Sequence, residues 1–299
     1  MRRNVRNWLS PPDPWKNHNL ANESRHSGSG TWWIQSDAYA EWKSSSASSL
    51  LWINGKRQYS VFYSFLKLTT VSAAGAGKSV IWCENLSIVR ICKLMLLDSS
   101  AIIEDIRNLK KSGLASLAFF YCDFRDDKKK DQRGLLSSLL VQLCEQSDAY
   151  STILSDFYVA HDDGSQHASN RELVACLVDM LKLPGQATVH IIIDALDECP
   201  ITSYLSSSRE KVLEVIEELV NLQLPNLRIC VTSRPEADIV SVLEPLASHS
   251  VSLHVESGQV EDIAEYIKSV IHTSRETRRW KDTDKETVIK ELVKKADGM

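Results

Sequence analysis

The sequence predicts an α/β fold, and three observations carry that reading. Apolar runs that read as strands, at residues 50–54, 117–124, 189–193 and 227–231, alternate with stretches of helical spacing such as Leu135, Leu136, Leu139, Leu140 and Leu143. The run Val189-His190-Ile191-Ile192-Ile193 is continuous and β-branched, as a central parallel strand should be. A glycine-rich turn, Ala74-Gly75-Ala76-Gly77-Lys78-Ser79, and carboxylates just past residue 193 lie where open α/β sheets bind their ligands.

Each element can be justified in turn. Residues 1–49 are rich in Asn, Ser, Trp and Pro, which rules out one long helix, while the tryptophans need a surface to pack on. The segment therefore reads as an ordered lead-in docking on the domain that follows, with a short helix near 36–43; a linker is the ordinary alternative. Residues 50–54 then read as the strand that feeds the glycine-rich turn. In that turn glycines let backbone N–H groups fold around phosphate oxygens, Lys78 supplies a point charge, and Ser79 supplies a magnesium ligand.

The standard spacing puts another glycine five residues before Gly77, where this chain has Ser72. Omitting residues 57–73 joins Gly55-Lys56 to Ala74 and restores a complete motif directly after the strand. Residues 57–73 are thus expected to be an interpolated segment, such as a retained intron; a tolerated loop is the alternative. The candidate phosphate-binding residues are Gly55, Ala74, Gly75, Ala76, Gly77, Lys78 and Ser79.

Residues 80–86 suit the helix whose N-terminus faces the phosphates. After the strand at 117–124, the mixed charges of 125–131 are most simply a solvated turn. Helical spacing from 134 to 143 and around 172–183 leads to the strand at 189–193, which ends in Asp194-Ala195-Leu196-Asp197-Glu198. A metal-bound triphosphate needs one carboxylate near the ion and another to act on the attacking water. Asp194 suits the first role and Asp197 or Glu198 the second; an acidic turn capping a strand is the plainer reading.

An amphipathic helix through Val212, Leu213, Ile216, Leu219 and Val220 precedes the strand at 227–231, which ends at Thr232-Ser233-Arg234-Pro235. Arg234 could reach a γ-phosphate from there, or be a surface arginine beside a proline turn. Residues 251–255 alternate like an edge strand, the stripe Ile263, Tyr266, Ile267, Val270 and Ile271 reads as core, and a last helix is expected near 284–296.

Composition narrows the function. With 299 residues, 43% of them hydrophobic, the chain can bury a large α/β core, and a net charge of -4 gives nucleic acid no electrostatic footing. Seven cysteines are scattered without C-x-x-C spacing, which suits reduced thiols in the cytoplasm. Neither a secretory signal nor an apolar run long enough to span a bilayer is visible.

The lead-in Trp8-Leu9-Ser10-Pro11-Pro12-Asp13-Pro14, Gly30-Thr31-Trp32, the phosphate loop, Asp194 to Pro200 and Val231 to Glu236 together resemble the fungal NACHT-domain proteins. Those are STAND-class signalling NTPases with a nephrocystin-3-like N-terminal region, and they include heterokaryon-incompatibility proteins and are similar to NOD-like receptors. The resemblance implies a P-loop NTPase core of the additional-strand type, a five-stranded parallel sheet flanked by helices, across residues 50–256, with the start of a helical arm at 257–299. It also implies that Lys78 contacts the β- and γ-phosphates, that Ser79 and Asp194 hold Mg2+, that Asp197 or Glu198 acts on water, and that Arg234 is the sensor. Such proteins act as switches, with protein partners or self-assembly in the full-length members.

The leading expectation is a signalling NTPase that binds ATP or GTP with Mg2+ and hydrolyses it slowly. A nucleotide-free interaction scaffold of the same family is the second reading, and a P-loop kinase or transferase the third.

Overall fold

A computed structural model describes residues 2–24, 31–55, 97–201, 207–252 and 277–297, with short pieces at 264–265, 268–269 and 271–273. Residues 74–79 of the phosphate loop, the segment 57–73 and the helix expected at 80–86 lie outside the described residues, as does most of the stripe from 263 to 271.

Four short helices open the chain: α1 (Arg2–Leu9), α2 (Trp15–Ser24), α3 (Thr31–Ile34) and α4 (Asp37–Ser44). The core then runs β1 (Ser49–Asn54), α5 (Leu97–Lys111), β2 (Ala115–Tyr121), α6 (Gln132–Cys144), α7 (Asp148–Ala160), α8 (Asn170–Leu181), β3 (Thr188–Asp194), α9 (Ser208–Asn221), β4 (Leu227–Ser233), α10 (Ala237–Leu246) and β5 (His249–Ser252). A later helix, α11, spans Asp282–Asp297. The five strands form one parallel sheet in the order β2-β3-β4-β1-β5. This is the five-stranded, helix-flanked parallel sheet that the family resemblance implies, and the edge strand read at 251–255 appears as β5 at 249–252.

Period-two alternation sends successive strand residues to opposite faces. Leu50 and Trp52, Ala118 and Phe120, Ile191 and Ile193, Ile229 and Val231 join the larger apolar layer with α6, α8, α9 and α10. Leu51, Ile53, Phe119, Ile192 and Cys230 join the smaller one with α5, where Ile102, Ile103 and Ile106 are fully buried. Because both faces are covered, β2 is buried along its whole length.

The lead-in tryptophans complete the smaller layer. Trp33 and Trp42 are fully buried there with Tyr39, and the Trp42 indole N–H donates to the Ile229 carbonyl at 3.0 Å. Truncating a ring of that size in a core costs about 3–5 kcal/mol. On the other face Trp8 packs against Phe157 and Tyr158 of α7.

Local signals explain where the helices begin. Ser169 with Glu172, and Ser207 with Glu210, form reciprocal capping boxes at α8 and α9. Asp131 caps α6 by accepting from the Gly134 N–H at 2.8 Å. Gly134 must be a glycine, since a Cβ there would run into the Lys128 carbonyl.

The charged stretch 125–131 corrects an expectation. It is not simply a solvated turn: Lys129 is buried and its ammonium donates to Asn17 Oδ1 at 2.8 Å. The physical reason is α2, which lies over the turn and supplies an amide where water was expected. Among the described residues no helix is long and apolar enough to cross a membrane.

Candidate functional site

The C-terminal ends of β2, β3, β4 and β1 lie side by side, and the candidate residues on them follow from that register. Tyr121 pairs with Asp194 across β2 and β3, and Asn54 with Ser233 across β1 and β4. Gly55 leaves β1 buried, its N–H donating to the Ser233 carbonyl at 3.2 Å. The described chain thus leaves β1 beside β4, the strand that Arg234 directly follows.

Asp194 is the last residue of β3 and only 2% exposed. The Thr232 hydroxyl donates to its Oδ1 at 2.6 Å and accepts from the Ala195 N–H at 2.9 Å. Its Oδ2 has no hydrogen-bond partner among the described residues. Burial pushes the carboxyl up to about 6, while the Thr232 and Ser99 hydroxyls pull the other way. A buried carboxylate oxygen at a strand end with no hydrogen-bond partner among the described residues is an acceptor of the kind a hydrated magnesium ion takes, so Asp194 fits that ion.

Ala195 takes a left-handed conformation, φ 54°, and turns the chain into a 3-10 turn at Leu196–Glu198. A non-glycine residue there costs about 1–2 kcal/mol. The turn separates two carboxylates that the sequence leaves equivalent. Asp197 accepts from the Arg234 backbone N–H at 3.0 Å and pairs with the Arg234 Nε at 3.2 Å. Glu198 instead lines a cavity of about 710 Å³ with Tyr121, Cys122, Asp123 and Asp194. Burial, then the charges of Asp123, Asp194 and Asp197, raise its carboxyl to about 7, with Arg125 opposing.

Arg209 holds this turn from behind, and the sequence reading missed it. Its side chain is almost fully buried and donates to the Asp197 carbonyl at 2.5 Å, the Cys199 carbonyl at 3.0 Å and the Glu236 carboxylate at 2.6 Å. The signal was present: Arg209 precedes Val212, Leu213 and Ile216 at helical spacing, a lone cation on the buried stripe of α9.

The other wall of the cavity is β2's exit and α2. Asp123 takes both arms of the Arg125 guanidinium, at 2.8 and 3.0 Å, and that fork holds its carboxyl below the usual range. Lys16 and Asn17 of α2 complete the wall.

Among the sequence-predicted residues, the structure brings Gly55, Asp194, Asp197, Glu198 and Arg234 to one end of the sheet. Ala74, Gly75, Ala76, Gly77, Lys78 and Ser79 lie outside the described residues.

Comparison with known proteins identifies the family. A family model described as nephrocystin 3, N-terminal, matches residues 68–234, more than half of the chain. The matched span runs from just before the phosphate loop to Arg234. The chain is also 25% identical over 231 residues to the vegetative incompatibility protein HET-E-1 of Podospora anserina. That alignment takes in 76% of this chain and only 14% of the longer relative. Both matches accord with the resemblance to fungal NACHT-domain proteins carried by the motifs. By fold, strand-end motifs and matched span, the chain belongs to the family defined by the nephrocystin 3 N-terminal region.

Proposed function

We propose that this chain is the nucleotide-binding part of a signalling switch that takes ATP or GTP with Mg2+, hydrolyses it slowly, and works in the cytoplasm. The observation that carries the proposal is the buried Asp194, with one carboxylate oxygen unpartnered, beside a Glu198 whose carboxyl titrates near neutrality. Both line a cavity at the C-terminal ends of β2 and β3, and Gly55 directly follows β1 at the same end of the sheet.

In this reading Ala74 to Ser79 would supply the phosphate-binding loop, Lys78 its charge, and Ser79 and Asp194 would hold the magnesium. When bound, the ion neutralises charge on the phosphate oxygens. Glu198 accepts a proton from the attacking water, a task suited to a carboxyl near pH 7. Asp197 is engaged by Arg234 and so positions that arginine toward the terminal phosphate instead of acting on water. Within a longer protein, exchange of diphosphate for triphosphate would control contact with protein partners or further copies, in a pathway of the kind that vegetative incompatibility represents.

One observation favours a second reading, a nucleotide-free scaffold. Twenty-one residues separate Gly55 from Gly77, and Ser72 stands where the motif's first glycine belongs. Titration with a fluorescent Mg-ATP analogue decides between the two. We expect saturable binding that Lys78→Ala abolishes, and turnover that falls on the order of a hundredfold or more in Glu198→Gln while binding persists. Binding unchanged in Lys78→Ala would leave the scaffold.

A further inference from the structure

Two thiols meet at the wall of this cavity. The Cys199 Sγ donates to the Cys122 Sγ at 3.3 Å, and both residues are buried. Cys122 directly follows β2, and its N–H donates to the Asp194 carbonyl at 2.9 Å. Cys199 closes the turn that carries Glu198, its N–H bonded to the Leu196 carbonyl at 3.1 Å and its own carbonyl held by Arg209. The two sulfurs are therefore held together from opposite sides by fixed backbone. Their surroundings differ in one respect: Cys122 lines the cavity, whereas Cys199 is fully buried behind it.

We propose that Cys122 and Cys199 form a reversible redox site, in which hydrogen peroxide converts the dithiol to a disulfide that ties the end of β2 to the Glu198 turn. Peroxide is small enough to enter the cavity and meets Cys122 first. The Cys122 sulfur attacks one peroxide oxygen, the O–O bond breaks, and the leaving hydroxide takes the thiol proton as water. The product is a sulfenic acid. Cys199 then attacks that sulfur; the S–S bond forms, the S–O bond breaks, and a second water leaves with the Cys199 proton. Two thiols and one peroxide give one disulfide and two waters, and a dithiol reductant reverses the change.

Closure shortens the sulfur separation from 3.3 Å to about 2.05 Å. Because Cys199 adjoins Glu198 and Cys122 adjoins Asp123, the pull falls on the carboxylates of the site. The effect on turnover rests on the proposed function, and the cross-link itself does not.

The test uses the full chain, reduced, freed of reductant, exposed to hydrogen peroxide over hours, alkylated and mapped by peptide mass spectrometry. The expected result is a Cys122–Cys199 cross-linked peptide that a dithiol removes. In Cys199→Ser the link disappears and Cys122 is trapped as a sulfenic acid by a dione reagent. Recovery of both cysteines as thiols while other cysteines are oxidised would overturn the proposal, as would a link that forms only in the denatured chain. The wild-type map decides even if the variant does not fold. Repeating the exposure with Mg-ATP separates the two readings. A slower link supports nucleotide in this cavity, and an unchanged rate leaves the redox site standing while removing the nucleotide from it. If both hold, the oxidised chain turns over ATP tenfold to a hundredfold more slowly, on the order expected for a displaced catalytic group.

Discussion

Asp123 and Asp194 lie at the ends of neighbouring parallel strands and line the same cavity, yet their surroundings push them in opposite directions. At the β2 end, a guanidinium fork and the Asn17 amide satisfy Asp123, whose carboxyl is held below the usual range. At the β3 end, Asp194 has one oxygen without a hydrogen-bond partner among the described residues and a carboxyl raised to about 6. The first is the ion pair of a structural wall. The second is a group whose charge the ligand-free fold opposes, which is the condition in which a bound cation has most to offer.

The sharpest way to break the comparison is to remove what holds the β3 turn. Arg209→Ala is expected to cost about 3 kcal/mol in a urea titration, because a buried fork serving two carbonyls and two carboxylates is lost at once. Arg209→Lys should recover little of it, since a point charge cannot reproduce the fork.

Next in size is Asp194→Asn. It should stabilise the ligand-free chain at pH 8 by up to about 3 kcal/mol, since the shift from 3.8 to about 6 is a cost of holding the charge. Mg-nucleotide binding should be lost in the same variant. The sign can be checked by pH: raised carboxyls bind more protons in the folded state, so their contribution is complete below about pH 4 and disappears as pH rises through about 6 for Asp194 and about 7 for Glu198. Urea midpoints should fall across that window in the wild type and fall less in Asp194→Asn. Asp123 contributes with the opposite sign, its share being lost as pH drops through its lowered value.

Asp123→Asn is the matching variant at the other strand end. Arg125 is largely exposed, so solvent screens the pair and the expected loss is about 1 kcal/mol. The smallest effect belongs to the bend between the two carboxylates. Ala195→Gly relieves a left-handed backbone and should raise the thermal midpoint slightly, by about 0.5 kcal/mol in free energy, because glycine's greater unfolded freedom offsets part of the gain.

Much of this was legible in the residues. The β-branched run at 189–193 reads as a central strand, which places the acids after it at that strand's C-terminal end. The tryptophans of the lead-in demanded a surface, and Trp33 and Trp42 found it on the smaller face of the sheet. The different duties of Asp197 and Glu198 were not legible, because they depend on a left-handed alanine that turns one acid toward Arg234 and the next toward the cavity. The burial of Lys129 was hidden too, since its amide partner lies 112 positions away on α2. Adjacent residues in sequence carry no mark of which neighbour will arrive from a distant helix.

The place of β1 in the sheet bears on how the molecule is made. Of the five strands in this sheet it is made first, and both of its neighbours, β4 and β5, are made last. The Trp42 ring beside it waits for the Ile229 carbonyl, 187 positions downstream. During synthesis, then, β2 and β3 can pair while β1 carries two open edges and a set of uncovered aromatic rings. A chain that ends prematurely before Leu227 keeps that apolar strand without either partner, so unfinished copies are the ones most exposed to aggregation and to chaperone capture.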